Sequence, residues 1–273
     1  GVAPGCGPKD NLAHSRTVAE AILYLIRAFR LELESATLHP TWFWAIQNNL
    51  SFALTLQNED GAFPAYWDIE TGEPFQYEGC GGIAWVAAMA AFDHLDPTNR
   101  FHEAIQRAGD HYQQFIDEDF LYGSQEDQPL VPTCDDCHIA MIAYMLLYEC
   151  DRDYHWLELS KRAAELAFTF KMVYNIYFPT FSMLGQTGFQ TVGGDITSVS
   201  QPSLSLRGLI SYGEMKKLSA LTGDPYYEQR SQEGRSFATQ MIARNDGEYN
   251  ARAGMGVGEV FHTDWLQPKG AVS

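Results

Sequence analysis

At 273 residues, 45% of them hydrophobic, the chain has enough apolar material for a sizeable core and does not read as disordered. Eighteen Lys and Arg against 35 Asp and Glu give a formal charge of −17, which repels phosphate backbones and anionic bilayers and so excludes nucleic acid and membrane surfaces as partners. No apolar run reaches the roughly 18 residues of a membrane span, and an odd Cys count argues against a disulfide framework, which tips the expected compartment toward the cytoplasm; a leader removed ahead of Gly1 would leave it open.

In chain order, Leu12–Glu34 carries Ala19, Ile22, Ile26, Phe29 and Leu33 at helical spacing, and after the break at Leu38-His39-Pro40 a second helix is expected over Thr41–Gln57. Helices joined so tightly lie antiparallel. The unit recurs as Cys80–Leu95 with Asn99–Ile116, Cys134–Cys150 with Tyr154–Val173, and Leu204–Thr222 with Pro225–Arg244. Turn chemistry marks each junction. Asp96-Pro97-Thr98-Asn99 stops one helix and caps the next, Asp151 to Asp153 does the same, and Gly223-Asp224-Pro225 supplies a C′ glycine, an N-cap acid and a proline at N1.

Gly82–Phe92 and Ile139–Leu147 are apolar on every face, as inner helices buried all round must be. Asn99–Asp117 instead keeps Phe101, Ala104, Ile105, Ala108, Tyr112 and Phe115 on one stripe, the pattern of an outer helix. Inner-to-outer links are therefore short. The outer-to-inner links run to roughly 16–28 residues, all at one end, and loops of that length usually carry function. The expected fold is all-α, an α/α toroid: a double ring of antiparallel helical hairpins, at least four of them, in a single domain over 1–273. A fifth inner helix beginning near Pro268 suggests that the domain is truncated at its C-terminus, or forms an arc closed by another copy.

The long links hold the candidate site residues. Phe63, Tyr66, Trp67 and Asp68 follow Asn58-Glu59-Asp60-Gly61; aromatic faces there would pack against the C–H face of a pyranose while carboxylates bind hydroxyls or trade protons, although a turn with aromatics plugging the barrel end serves equally. Asp135 and Asp136 open the third inner helix behind Thr133, either as a capping box or as paired carboxylates acting as acid and base. Cys134, Cys137 and His138, at i, i+3 and i+4, can share one helix face, but the further ligands a zinc site needs are missing, so neither metal nor other cofactor is expected. Asp195 is an isolated acid after two glycines, serving an Asx-turn or catalysis. His262, Asp264 and Trp265 occupy the last link, and Arg207 lies near the proposed mouth. Three of the four long links lack Lys and Arg, which favours a neutral saccharide over a uronate as partner.

Two stretches, Gln57-Asn58-Glu59-Asp60-Gly61-Ala62-Phe63-Pro64 after an outer helix and Asp135-Asp136 entering an apolar inner helix with Met141, make the chain resemble the six-hairpin glycosidase-like superfamily of α/α toroids. The resemblance implies acid/base chemistry on a saccharide, with Asp135 or Asp136 as one carboxylate and Asp68 or Asp195 as the other. Glycoside hydrolysis is the first expectation. The alternatives are a non-catalytic helical scaffold that grips a glycan or peptide, and a sugar epimerase or polysaccharide lyase.

Overall fold

The structure, a computed structural model, describes residues 11–124, 130–200, 202–261 and 271–272. They pack as two compact units, Gly1–Pro132 with Ile139–Ala163 in the first and Thr133–His138 with Ala164–Ser273 in the second.

The first unit holds α1 (Ser15–Glu34), α2 (Pro40–Thr55), α3 (Ile83–Asp93), α4 (His102–Asp117), the body of α5 (Cys134–Asp151) and the start of α6 (Tyr154–Thr169). Every residue of α3 from Ile83 to Phe92 is buried, as its unbroken apolar sequence requires. Helix α4 buries Ala104, Ile105, Ala108, Tyr112, Phe115 and Ile116 and turns its charged face outward. The junctions follow the expected chemistry: Asp96 accepts from Thr98 N at 3.0 Å and from Thr98 Oγ1 at 2.7 Å, and Asp153 accepts from His155 N at 2.9 Å.

The long links are not plain loops. Leu12–His14 (β1), at the start of what reads as the first helix, pairs antiparallel with Tyr66–Asp68 (β2), which pairs with Pro74–Gln76 (β3). Two of the links meet where Cys80 N donates to Tyr122 O at 2.7 Å.

In the second unit, α7 (Met183–Thr187) is followed by Asp195–Ile196 (β4) and Leu204–Ser205 (β5), then α8 (Tyr212–Thr222), α9 (Pro225–Ala238), Glu259–Phe261 (β6) and Ala271–Val272 (β7). The four strands form one antiparallel sheet in the order β4-β5-β6-β7. Three expected helices are shorter for a common reason: the sheet region takes their backbone. Helix α6 ends at Thr169 because Phe170 O and Met172 N bond to Ile196 N and Gly194 O, both at 2.8 Å. The expected start at Leu204 is strand β5, followed by a 3-10 turn over Arg207–Ser211 before α8 begins. Helix α9 ends at Ala238 and a 3-10 turn follows, where Val257 N bonds to Met241 O at 2.8 Å. At its start Asp224 accepts from Tyr226 N and Gly223 takes φ 71°, as read. Pro268 lies outside the described residues, and Ala271–Val272, inside the expected fifth inner helix, is strand instead.

Candidate active site

Between Glu165 and Glu214 the sequence has only three charged residues, Lys171, Asp195 and Arg207. The second unit brings all three to the N-terminal turn of α5. That turn is fixed first by Thr133, whose backbone N and Oγ1 donate to Asp136 Oδ2 at 3.1 and 2.6 Å, while Asp136 N donates back to Thr133 Oγ1 at 3.2 Å. It is fixed second by Cys134 N, which donates to Thr197 O at 3.0 Å just beyond β4. The next acid, Asp135, is buried with its carboxylate against Arg207 Nε.

Beneath this pair lies a charge network closed to water. Lys171 Nζ sits 2.9 Å from Asp195 Oδ1, with the two side chains 2% and 1% exposed, and it also donates to Gly193 O at 3.2 Å. Gly208 N donates to Asp195 Oδ2 at 2.9 Å. Burial alone would push the Asp195 carboxyl up; the Lys171 charge, with His138 behind it, overrides that and holds it at about 2. His138 is as deeply buried, its Nε2 3.6 Å from Asp195 Oδ1, an ion-pair distance rather than a hydrogen bond. Its Nδ1 is 2.9 Å from Ser211 Oγ, so both ring nitrogens face protein partners. Glycine is required at 208, where a Cβ would come within 2.4 Å of Asp195 Oδ2 and 3.0 Å of Lys171 Nζ.

Arg207, 28% exposed, is the part of the network that reaches the surface. Both cations already face carboxylates, so the site carries no surplus positive charge to draw an anion. Burial is the first cause that lifts the Cys134 and Cys137 thiols well above their ordinary range, which keeps them as protonated core residues rather than nucleophiles.

Of the candidates read from sequence, Asp135, Asp136, His138, Asp195 and Arg207 lie in this unit, and Asp136 is engaged in the helix cap. Phe63, Tyr66, Trp67 and Asp68 lie in the first unit. Phe63 and Trp67 are 1% and 7% exposed and belong to the core there, Phe63 N donating to Tyr112 Oη and Trp67 packing on Trp85, so neither offers a face to a ligand. Tyr66 packs against His14, ring centroids 5.0 Å apart and tilted by 39°. Asp68 Oδ1 accepts from Glu70 N at 2.9 Å and Thr71 N at 3.0 Å, an Asx-turn that closes the β2–β3 hairpin. His262, Asp264 and Trp265 lie outside the described residues.

Sequence reading missed Lys171 and Ser211. Lys171 falls inside the expected outer helix Tyr154–Val173, where a lysine reads as a solvated face. The signal that could have found it is its isolation, since no other Lys or Arg occurs between Arg162 and Arg207.

No protein-family model matches the sequence, and neither does any curated protein. Solved structures do match it. A D-mannose isomerase is 12% identical over 96% of this chain and 68% of that chain, with a TM-score of 0.63. A cellobiose 2-epimerase from Bacillus thermoamylovorans is 10% identical over 98% of this chain and 69% of that one, with a TM-score of 0.61. An α-mannanase from Bacteroides thetaiotaomicron is 9% identical over 89% and 62%, with a TM-score of 0.55. At such identities the likeness is one of fold: the chain has an α/α-toroid fold.

Proposed function

We propose that this chain is a carbohydrate-active enzyme that transfers protons on a neutral saccharide at the Asp135–Arg207 pair. The observation that carries the reading is the convergence of the only charged residues of a 48-residue stretch (166–213) on Asp135 and His138 at one helix start. Burying such a network is costly unless every charge is paired, and groups so arranged cluster where chemistry is done. The sugar-active enzymes among the fold neighbours support the substrate class, and the balanced charge of the site supports a neutral one.

The first reading of the reaction is glycoside hydrolysis, with Asp135 the carboxylate that gives or takes the proton at the glycosidic oxygen. Asp195, held ionised and buried by Lys171, serves as a positioning residue. The isomerase and epimerase among the fold neighbours favour a second reading, isomerisation or epimerisation, with Asp135 moving the proton beside a carbonyl.

One experiment separates them. The full chain is incubated in D2O with a panel of neutral mono-, di- and oligosaccharides, and NMR follows release of new reducing ends together with deuterium uptake at C2. Hydrolysis gives reducing ends without C2 exchange; isomerisation or epimerisation gives exchange without cleavage. Neither signal on any sugar would overturn the enzymatic reading.

A further inference from the structure

We propose that α9 and the chain around α7 form a second, non-catalytic binding surface for neutral glycan chains, an inference that rests on the reading above for its ligand class. Residues 172–194 contain no charged side chain. They are nonetheless folded tightly. Thr191 Oγ1 donates to Tyr174 O at 2.7 Å and accepts from Ile176 N at 3.0 Å, and Val192 N donates to Asn175 Oδ1 at 3.1 Å. Ser182 Oγ caps α7 by accepting from Gly185 N at 3.0 Å, and a Cβ at Gly185 would meet Pro179 O at 2.1 Å. Leu184 and Phe189 are buried, and Phe189 packs edge-on against Phe237 of α9 at 5.6 Å.

A segment able to bury those residues leaves three aromatics outside: Tyr174 is 64% exposed, Tyr177 98% and Phe181 72%. Single exposed aromatics are ordinary, but three on one fixed, charge-free loop are not explained by packing. The same segment, through Gly188, Gln190 and Val192, bounds a cavity of about 690 Å³ whose other walls include Gln229, Gln232, Glu233 and Gln240. Its walls are set: the Gln240 amide accepts from Gln190 N at 2.8 Å and donates to Gln190 O at 3.0 Å, and Gln232 Nε2 donates to Tyr212 Oη at 2.7 Å. Glu233 is neutralised by Arg230.

Amides offer donor and acceptor side by side, the complement of a sugar's hydroxyls, and aromatic faces take the C–H face of the ring. An ionic partner would find nothing to hold in residues 172–194. A second copy of the chain is the competing occupant; its apolar contacts would leave the amide-lined cavity unmatched.

Affinity electrophoresis of the full chain tests this, with gels containing β-mannan, hydroxyethyl cellulose or polygalacturonate. The expected result is retardation by at least one neutral polymer and none by polygalacturonate. The variant Tyr177→Ala/Phe181→Ala/Gln229→Ala should weaken that retardation at least tenfold with an unchanged melting temperature, whereas Asp135→Asn should retain it. Because retention is read without turnover, its loss and the failure of the enzymatic reading are separate outcomes. No retardation by either neutral polymer, equal retardation by polygalacturonate, an unaffected triple variant, or sedimentation showing that the variant splits a dimer of the unsubstituted chain would each overturn the proposal.

Discussion

Asp93 and Asp195 are both buried aspartates, with side chains 4% and 1% exposed, yet their acidities fall on opposite sides of the ordinary value of 3.8. In the first unit, burial lifts Asp93 to about 6; His102, 3.8 Å away, opposes that only in part, and Asp96 and Asp151 add to it. In the second, the Lys171 charge holds Asp195 at about 2 against a deeper burial. Burying a carboxylate therefore does not by itself make a site. The cation buried with it decides which protonation state the fold selects, and for Asp195 that cation is Lys171.

The largest effect is expected at Lys171. Lys171→Met leaves Asp195 buried without its cation and should cost about 3–5 kcal/mol in chemical unfolding, and adding Asp195→Asn should recover most of that; a cost no larger than that of a surface exchange would refute the network. Phe63→Ala should cost a similar ~3–5 kcal/mol through the cavity it leaves, because this residue packs rather than binds. A saccharide affinity lost with unchanged stability would reverse that assignment. Next in size is Asp136→Ala, which removes the carboxylate from the α5 cap and should cost about 0.5–2 kcal/mol.

The smallest expected effect sharpens the contrast through pH. Because the folded state raises Asp93 to about 6, its contribution to stability is whole below 3.8 and is lost as pH rises through 6. Asp195 behaves oppositely: its contribution is present above 3.8 and is lost as pH falls through about 2. Asp93→Asn should therefore raise the melting temperature at pH 7.5 and have little effect at pH 4. An equal effect at both pH values would contradict the assignment.

Much of the helical frame was legible because inner helices must be apolar all round and outer ones on a single stripe, so Ile83–Phe92 and His102–Asp117 declare themselves. The short strands were not. Segments of two or three residues such as Asp195–Ile196 are too brief for alternation to register, and it is they that shorten the helices expected to reach Val173 and to start at Leu204. The candidate site was half legible. Asp135, His138, Asp195 and Arg207 could be singled out by isolation or by helix position, and the cap reading of Asp136 was available from Thr133. Lys171 was hidden because it was assigned to a helix that stops two residues earlier. Phe63 and Trp67 could not be placed from sequence, since an aromatic in a long link reads the same whether it faces solvent or core.

The most direct test of the account is the ratio of kcat/KM between Asp135→Asn and Asp68→Asn on the neutral saccharide that the panel identifies. Asparagine can still accept the two backbone hydrogen bonds of the Asp68 turn, whereas at 135 it can neither give nor take a proton. The account predicts that Asp135→Asn lowers kcat/KM by about 10²–10⁴-fold with its fold intact, well beyond any loss in Asp68→Asn; full activity in Asp135→Asn with loss in Asp68→Asn would contradict it and move the chemistry to the first unit.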